Sequence, residues 1–201
     1  WQACEALSDA VQPYDVIFFL DGELRPDSLT SDAMSQYRTL ILPDCRYLTQ
    51  AQAQLLHEYA ASGGRLLVMG ELGTNLSDDK RTALLNHQGT HRVEVGAAFD
   101  LNWLPQEQQV RLSTPADLAI NLQRVESGVA VHILHYDYDA ERDEMPPLDE
   151  LNLDLRLTGT FHNLEVFSPG EPPKAQLEGS DGNYHLALKN LPLYSIVLLK
   201  E

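Results

Sequence analysis

Tyr37-Arg-Thr-Leu-Ile-Leu-Pro-Asp-Cys-Arg-Tyr-Leu-Thr49 and, sixteen residues later, Arg65-Leu-Leu-Val-Met-Gly-Glu-Leu-Gly73 decide the fold. Leu40-Ile-Leu42 and Leu66-Leu-Val-Met69 are short continuous apolar runs, the mark of strands covered on both faces. Between them Thr49 and Gln52 stand at capping-box spacing, which predicts a helix start. Leu55, Leu56, Tyr59 and Ala60 give that helix its apolar face. Ser62-Gly63-Gly64 ends it, because glycine tolerates the left-handed residue that terminates helices. Strand, helix, strand in this order predicts a parallel sheet with helices packed on it.

Working outward, Trp1, Cys4, Leu7 and Val11 recur at helical spacing and Pro13 closes that helix. Asp15-Val-Ile-Phe-Phe-Leu20 reads as another strand covered on both faces. Downstream, Asp79 to Asn86 predicts a short helix and His91 to Val95 an edge strand. After about residue 105 the helical period gives way to alternation. Val129, Val131 and Ile133 point one way, and Ala130, His132 and Leu134 the other. Leu151, Leu153, Leu155 and Leu157 alternate with Asn152, Asp154 and Arg156. Phe161 to Phe167, Ala175 to Leu177, Tyr184 to Leu188 and Tyr194 to Leu199 add further short strands. Ser168-Pro-Gly170, Gly179-Ser-Asp-Gly182 and Asn190-Leu-Pro192 are turn signals between them, the pattern of a small antiparallel β-sandwich. The fold class is therefore α/β plus all-β, with an α/β domain over 1–105 and a sandwich over 106–201.

The chain has 201 residues, enough for two small domains, and a formal charge of -16. Such acidity argues against nucleic acid and against an anionic membrane surface, both of which need clustered Lys and Arg. No apolar run approaches the roughly 18 residues that cross a bilayer, and no charged-then-apolar leader opens the sequence. The first residue, Trp1, falls inside a helical pattern, so the chain reads as an excised segment or processed product. Cys4 and Cys45 are the two cysteines, without CxxC spacing. They read as free thiols, compatible with the cytoplasm.

The two halves in this order resemble the C-terminal region of beta-galactosidase-type glycoside hydrolases with a so-called trimerisation domain. The residues that carry the resemblance are Tyr14-Asp15, Tyr37, Leu42-Pro43-Asp44, Leu48-Thr49, Gly63-Gly64, Val131-His132 and Tyr136-Asp137-Tyr138. The resemblance implies a flavodoxin-like, class I glutamine-amidotransferase-like α/β domain followed by a small β-sandwich. It also implies a catalytic barrel, N-terminal in the same polypeptide, that holds the paired carboxylates. That fold begins with a strand leading into the first helix, whereas this sequence opens in the helix. An active amidotransferase-like domain carries its nucleophile at the turn after the second quoted strand. Here the turn is Gly70, Glu71, Leu72, Gly73 and Thr74, with no cysteine or serine.

Several residues offer chemistry. Glu71 and Thr74 offer a carboxylate and a hydroxyl at a degenerate elbow, whose glycines suffice for a tight turn. Cys45 follows the other strand and reads as a structural thiol. His132 and His135, three apart on a strand, project to opposite faces and cannot chelate one metal together. Tyr136, Tyr138 and His132 form a polar aromatic strand end able to stack on a sugar, with Tyr184 and Tyr194 as further stacking candidates. His87 and His91 are four apart, but Gly89 between them speaks against one helical face. The acidic stretch Asp137 to Glu150 reads as a solvated loop, since the glycine-centred calcium pattern is missing. Trp1 and Trp103 are expected to be buried in a core or in the interface between the halves. No catalytic residue, metal or cofactor is expected. The expected function is a non-catalytic accessory region of a glycoside hydrolase, serving packing or homo-oligomerisation, with carbohydrate binding by the sandwich as the alternative.

Overall fold

The structure, a computed structural model, describes residues 2–25, 27, 29–94, 97–104, 108–113 and 116–201. Trp1, Val95 and Pro105, on which parts of the expectations above fall, lie outside the described residues. Two compact units emerge, 15–106 in one and 1–14 with 107–201 in the other. Helix α1 (Gln2–Asp9) thus belongs with the sandwich rather than with the α/β unit. The helix ends at Asp9, short of Val11. Val11 takes a left-handed φ of 56° and drops its side chain into the sandwich core.

In the α/β unit, α2 (Ser31–Ser35) precedes β1 (Thr39–Pro43), α3 (Gln50–Ala61), β2 (Arg65–Met69), α4 (Asp78–Leu85) and β3 (Thr90–Val93). A 3-10 turn at Leu101–Trp103 follows. The strands form a parallel sheet in the order β1-β2-β3, with Leu40 opposite Leu66 and Leu66 opposite Thr90. The capping box is present: Thr49 Oγ1 accepts from Gln52 N–H at 3.1 Å and Gln52 Oε1 from Thr49 N–H at 2.9 Å. Met34, Leu48, Leu56, Leu66, Val68 and Leu72 fill the core between helices and sheet.

Residues 15–20 depart from expectation. They join no strand, and Val16 and Phe18 are 62% and 71% exposed while Ile17 and Phe19 pack against the core. An apolar run is covered on both faces only where a sheet neighbour and a second layer exist. Here the segment joins no sheet among the described residues and only Ile17 and Phe19 find cover.

Among the described residues the second unit holds eight strands: β4 (Val110–Leu112), β5 (Leu118–Val125), β6 (Gly128–His135), β7 (Leu148–Arg156), β8 (Asn163–Phe167), β9 (Lys174–Ser180), β10 (Asn183–Leu191) and β11 (Tyr194–Lys200). They form two antiparallel sheets ordered β4-β7-β10-β9 and β5-β6-β11-β8. Alternation along each strand sends Leu151, Leu153, Leu155, Leu186 and Leu188 from one sheet against Val131, Ile133, Val197 and Leu199 from the other. The acidic loop is shorter than expected, because β7 already begins at Leu148 and an isolated bridge joins Asp139 to Glu144. Among the described residues no helix is long and apolar enough to cross a membrane.

Candidate functional site

In open parallel sheets, ligands gather outside the carboxyl ends of the strands. At that edge the loops after β1 and β2 are joined backbone to backbone. Gly73 N–H donates to Cys45 O at 2.9 Å and Thr74 N–H to Arg46 O at 2.7 Å. Asp44, in a left-handed conformation at φ 49°, accepts from Glu71 N–H at 3.2 Å and from Arg46 Nε at 3.0 Å. Arg46 Nε also stands 3.2 Å from the Glu71 carboxylate. Gly73 needs its φ of +52°, and a Cβ there would meet Leu76 Cδ1 at 2.6 Å.

This arrangement bears on every candidate at the elbow of Gly70, Glu71, Leu72 and Gly73. Leu72 is buried, so it anchors the turn in the core. The Glu71 carboxylate is engaged by Arg46, and the Thr74 hydroxyl donates to Arg46 O at 3.0 Å rather than to a base. The hydrogen bond from Arg46, followed by that from the Glu71 amide, holds the Asp44 carboxyl below its ordinary range. Burial, and then the Asp44 charge, push the Cys45 thiol up, away from the thiolate that nucleophilic attack requires. Asp44, Arg46 and Glu71 thus tie the two loops together, and Tyr47 in the first of them is exposed.

In the sandwich, His132 sits on the outer face of β6 and its Nδ1 lies 2.8 Å from Tyr194 Oη, with the rings stacked. Tyr136 and Tyr138 follow the end of β6 and are exposed. Tyr138 Oη donates to Asp143, and Tyr136 Oη to Leu118 O at 3.4 Å. No hydrogen bond or ring contact joins either tyrosine to His132 among the described residues, so the three form no single constellation. Tyr184 is no platform at all. It is buried, its Oη accepting from Phe161 N–H at 3.0 Å and donating to Gly159 O at 3.1 Å.

The histidines separate as well. His135 points into the core and His132 outward. The His87 ring meets His57 at 5.7 Å, while His91 lies beside Trp103 at 6.0 Å. Among the described residues no group of three His, Cys, Asp or Glu is placed to hold a metal. In the acidic loop Asp139 accepts from the Glu141 and Arg142 amides, and Arg142 pairs with Asp139 and Glu144. Both cysteines are free.

One surface went unread in the sequence. The outer face of β5-β6-β11-β8 carries Leu134, Tyr194, Ile196 and Phe167, with Tyr194 opposite Leu134 and Ile196 opposite both His132 and Phe167. Leu134 is 40% and Phe167 50% exposed. The signal was available, because Tyr194–Lys200 is apolar in both phases of its alternation.

No family model matches the sequence, and no curated protein matches it either. Among solved structures the chain is similar to an α-L-fucosidase isoenzyme from Paenibacillus thiaminolyticus, at TM-score 0.66 and 12% identity. That match covers 99% of this chain and 44% of the fucosidase, so the chain spans less than half that enzyme's length. An exo-carrageenase from Bacteroides ovatus matches at TM-score 0.37 and 10% identity, over 98% of this chain and 26% of that one, a level that carries no argument. What is shared at this identity is the fold: a parallel-sheet unit and two antiparallel sheets, found as part of a longer glycoside hydrolase.

Proposed function

We propose that the chain is a non-catalytic accessory region of a glycoside hydrolase whose catalytic barrel lies elsewhere in the same polypeptide. One observation carries the reading: nearly the whole chain, 99%, superposes on a part, 44%, of a glycosidase. The elbow supports it, since its carboxylate is held by Arg46 and its hydroxyl by a carbonyl. In this reading the α/β unit is a degenerate amidotransferase-like domain used for packing or homo-oligomer contact, and two free thiols suit a reducing compartment such as the cytoplasm.

The test compares the encoded full-length polypeptide with residues 1–201 on a panel of aryl glycosides. Turnover is expected from the former and none from the latter. Turnover by 1–201 that disappears in Glu71→Gln overturns the reading.

A second reading, carbohydrate binding by the sandwich, is favoured by the outer face described above. Phe167 and Tyr194 offer apolar ring surface, with His132 beside them as a hydrogen-bonding group. Affinity electrophoresis against a polysaccharide panel checks it: retardation should weaken in Phe167→Ala and Tyr194→Ala. Retardation that responds only to Tyr136→Ala would move the site to the strand end.

A further inference from the structure

Among the described residues the two sandwich sheets end in four edge strands, β4 and β9 on one sheet and β5 and β8 on the other. An edge strand is a template for pairing with another chain, and proteins blunt it by shortness, by charge or with a cover. β4 has 3 residues with Arg111 among them, β8 has 5 with Glu165, and β9 carries Lys174 and Glu178. β5 has 8 residues, and its stretch Leu118-Ala-Ile-Asn-Leu-Gln123 holds no charge. By its own residues β5 is the least protected of the four. Alternation shows which of its backbone groups are left open. Tyr136 N–H donates to Asp117 O, so residues in phase with Asp117 bond to β6. Leu118, Ile120 and Leu122 therefore turn N–H and C=O away from β6. On β4, Gln109 O accepts from Arg156 N–H and Ser113 N–H donates to Asn152 O, which turns Val110 to the open side.

Residues 2–14 meet these open groups. Gln12 Nε2 donates to Val110 O at 2.8 Å, on the free side of β4. Tyr136 Oη donates to Leu118 O at 3.4 Å, on the free side of β5. Burial, the Asp117 charge and then the Asp9 charge push that hydroxyl up, which sets the end of α1 close beside it. α1 itself packs on β5. The inner face of β5 is filled by the core, and Ala119, Asn121 and Gln123 on its outer face are exposed. What α1 covers is therefore the open edge. Val11 is the anchor, 3% exposed in the sandwich core. Its φ of 56° is one that a β-branched residue rarely takes, so burial holds the anchor against a strained backbone.

We propose that residues 2–14 are a removable cover, and that the strand edge beneath them fits a second copy of this chain. Once the cover is released, β5 meets β5 of the other copy antiparallel about a two-fold axis. Ile120 then stands opposite its own counterpart, and Leu118 opposite Leu122. The occupant follows from self-complementarity: one strand laid against itself satisfies both sets of open N–H and C=O groups at once. In this register Ala119 stands opposite Asn121 and Asp117 opposite Gln123, so no like charges face each other. The four-stranded sheet β5-β6-β11-β8 would then run on without a break into its copy.

Sedimentation of residues 1–201 beside two variants with a weakened cover tests this. Val11→Asp drives the anchor out of the core, changes no strand, and suits the left-handed backbone better than valine does. Its mass should double as concentration rises, over a range in which the parent's mass stays constant. Gln12→Ala removes only the tie to Val110 and should do the same at higher concentration, so the test survives if Val11→Asp fails to fold. In the associated form the Ile120 amide should exchange about 10-fold or more slowly than in the dilute variant. Adding Ala119→Lys with Asn121→Lys sets like charges opposite each other across the two-fold and should restore the parent's mass. Adding Ala119→Lys with Asn121→Glu sets opposite charges there and should strengthen association. Mass that follows the parent's in both variants overturns the proposal. Association indifferent to these charges, or with Ile120 exchange unchanged, also overturns it and moves the contact to the bared core.

Discussion

Arg46 Nε stands 3.2 Å from the Glu71 carboxylate, where a catalytic elbow would keep its acid free to meet a substrate. Both side chains are about half exposed or more, so the contact is a weak one energetically. Arg46→Ala and Glu71→Gln should each leave the midpoint of chemical denaturation nearly unchanged. The Asp44 carboxyl should titrate below its ordinary 3.8 by NMR and move back up in Arg46→Ala. Its contribution is present above the ordinary carboxylate pKa and is lost as pH falls through the lowered value. An Asp44 titration indifferent to Arg46→Ala would refute the junction described here.

Tyr184→Phe should cost about 1–3 kcal/mol, because it leaves the Phe161 N–H and the Gly159 carbonyl without their buried partner. The Phe161 ring, edge-on to Tyr184 at 5.5 Å, keeps its packing in this variant, so the loss isolates the hydroxyl. A cost within error of zero would mean that water replaces the hydroxyl.

Gly64→Ala is expected to destabilise the α/β unit by about 1–3 kcal/mol through overpacking. A Cβ at residue 64 would lie 2.3 Å from Tyr59 Cζ, and the ring cannot swing away without breaking the bond from Tyr59 Oη to Tyr37 O at 3.0 Å. Thermal unfolding of the two proteins side by side gives the answer. An unchanged midpoint would show that the ring yields.

Burial pushes the Tyr59 hydroxyl up to about 12. Being raised above its unfolded value of 10.0, it contributes stability that is whole below pH 10 and is lost as pH climbs toward 12. Spectrophotometric titration should therefore show a late-ionising tyrosine, beyond the smaller upward shifts of Tyr37, Tyr136 and Tyr138, that is missing in Tyr59→Phe. The fall of stability through that window should be shallower in the variant.

What was legible in the sequence is what depends on neighbours close along the chain. Thr49 and Gln52 announce their capping box because both partners lie within one turn. Leu151, Leu153 and Leu155 show their inward face through a period of two. The same period of two runs through Leu118, Ile120 and Leu122 against Asn121 and Gln123. Asp15–Leu20 misled because hydrophobicity reports that a segment wants cover without saying how many sides receive it. The elbow's lack of a nucleophile could be read directly, whereas the capture of Glu71 by Arg46 could not. That contact needs two loops brought together by the pairing of β1 with β2.

Val11 and the Gln12 side chain, which donates to Val110 O at 2.8 Å across 98 positions, have a consequence for synthesis. The ribosome delivers residues 2–14 long before the strands that receive them, with the whole α/β unit made in between. That unit, whose contacts are local, is able to close first and shorten the span that the late strands must bridge. Val11 meanwhile waits in solution as an apolar side chain without a home. Slowing translation after residue 106 should lengthen this wait, and chaperone capture of nascent chains is where it would show.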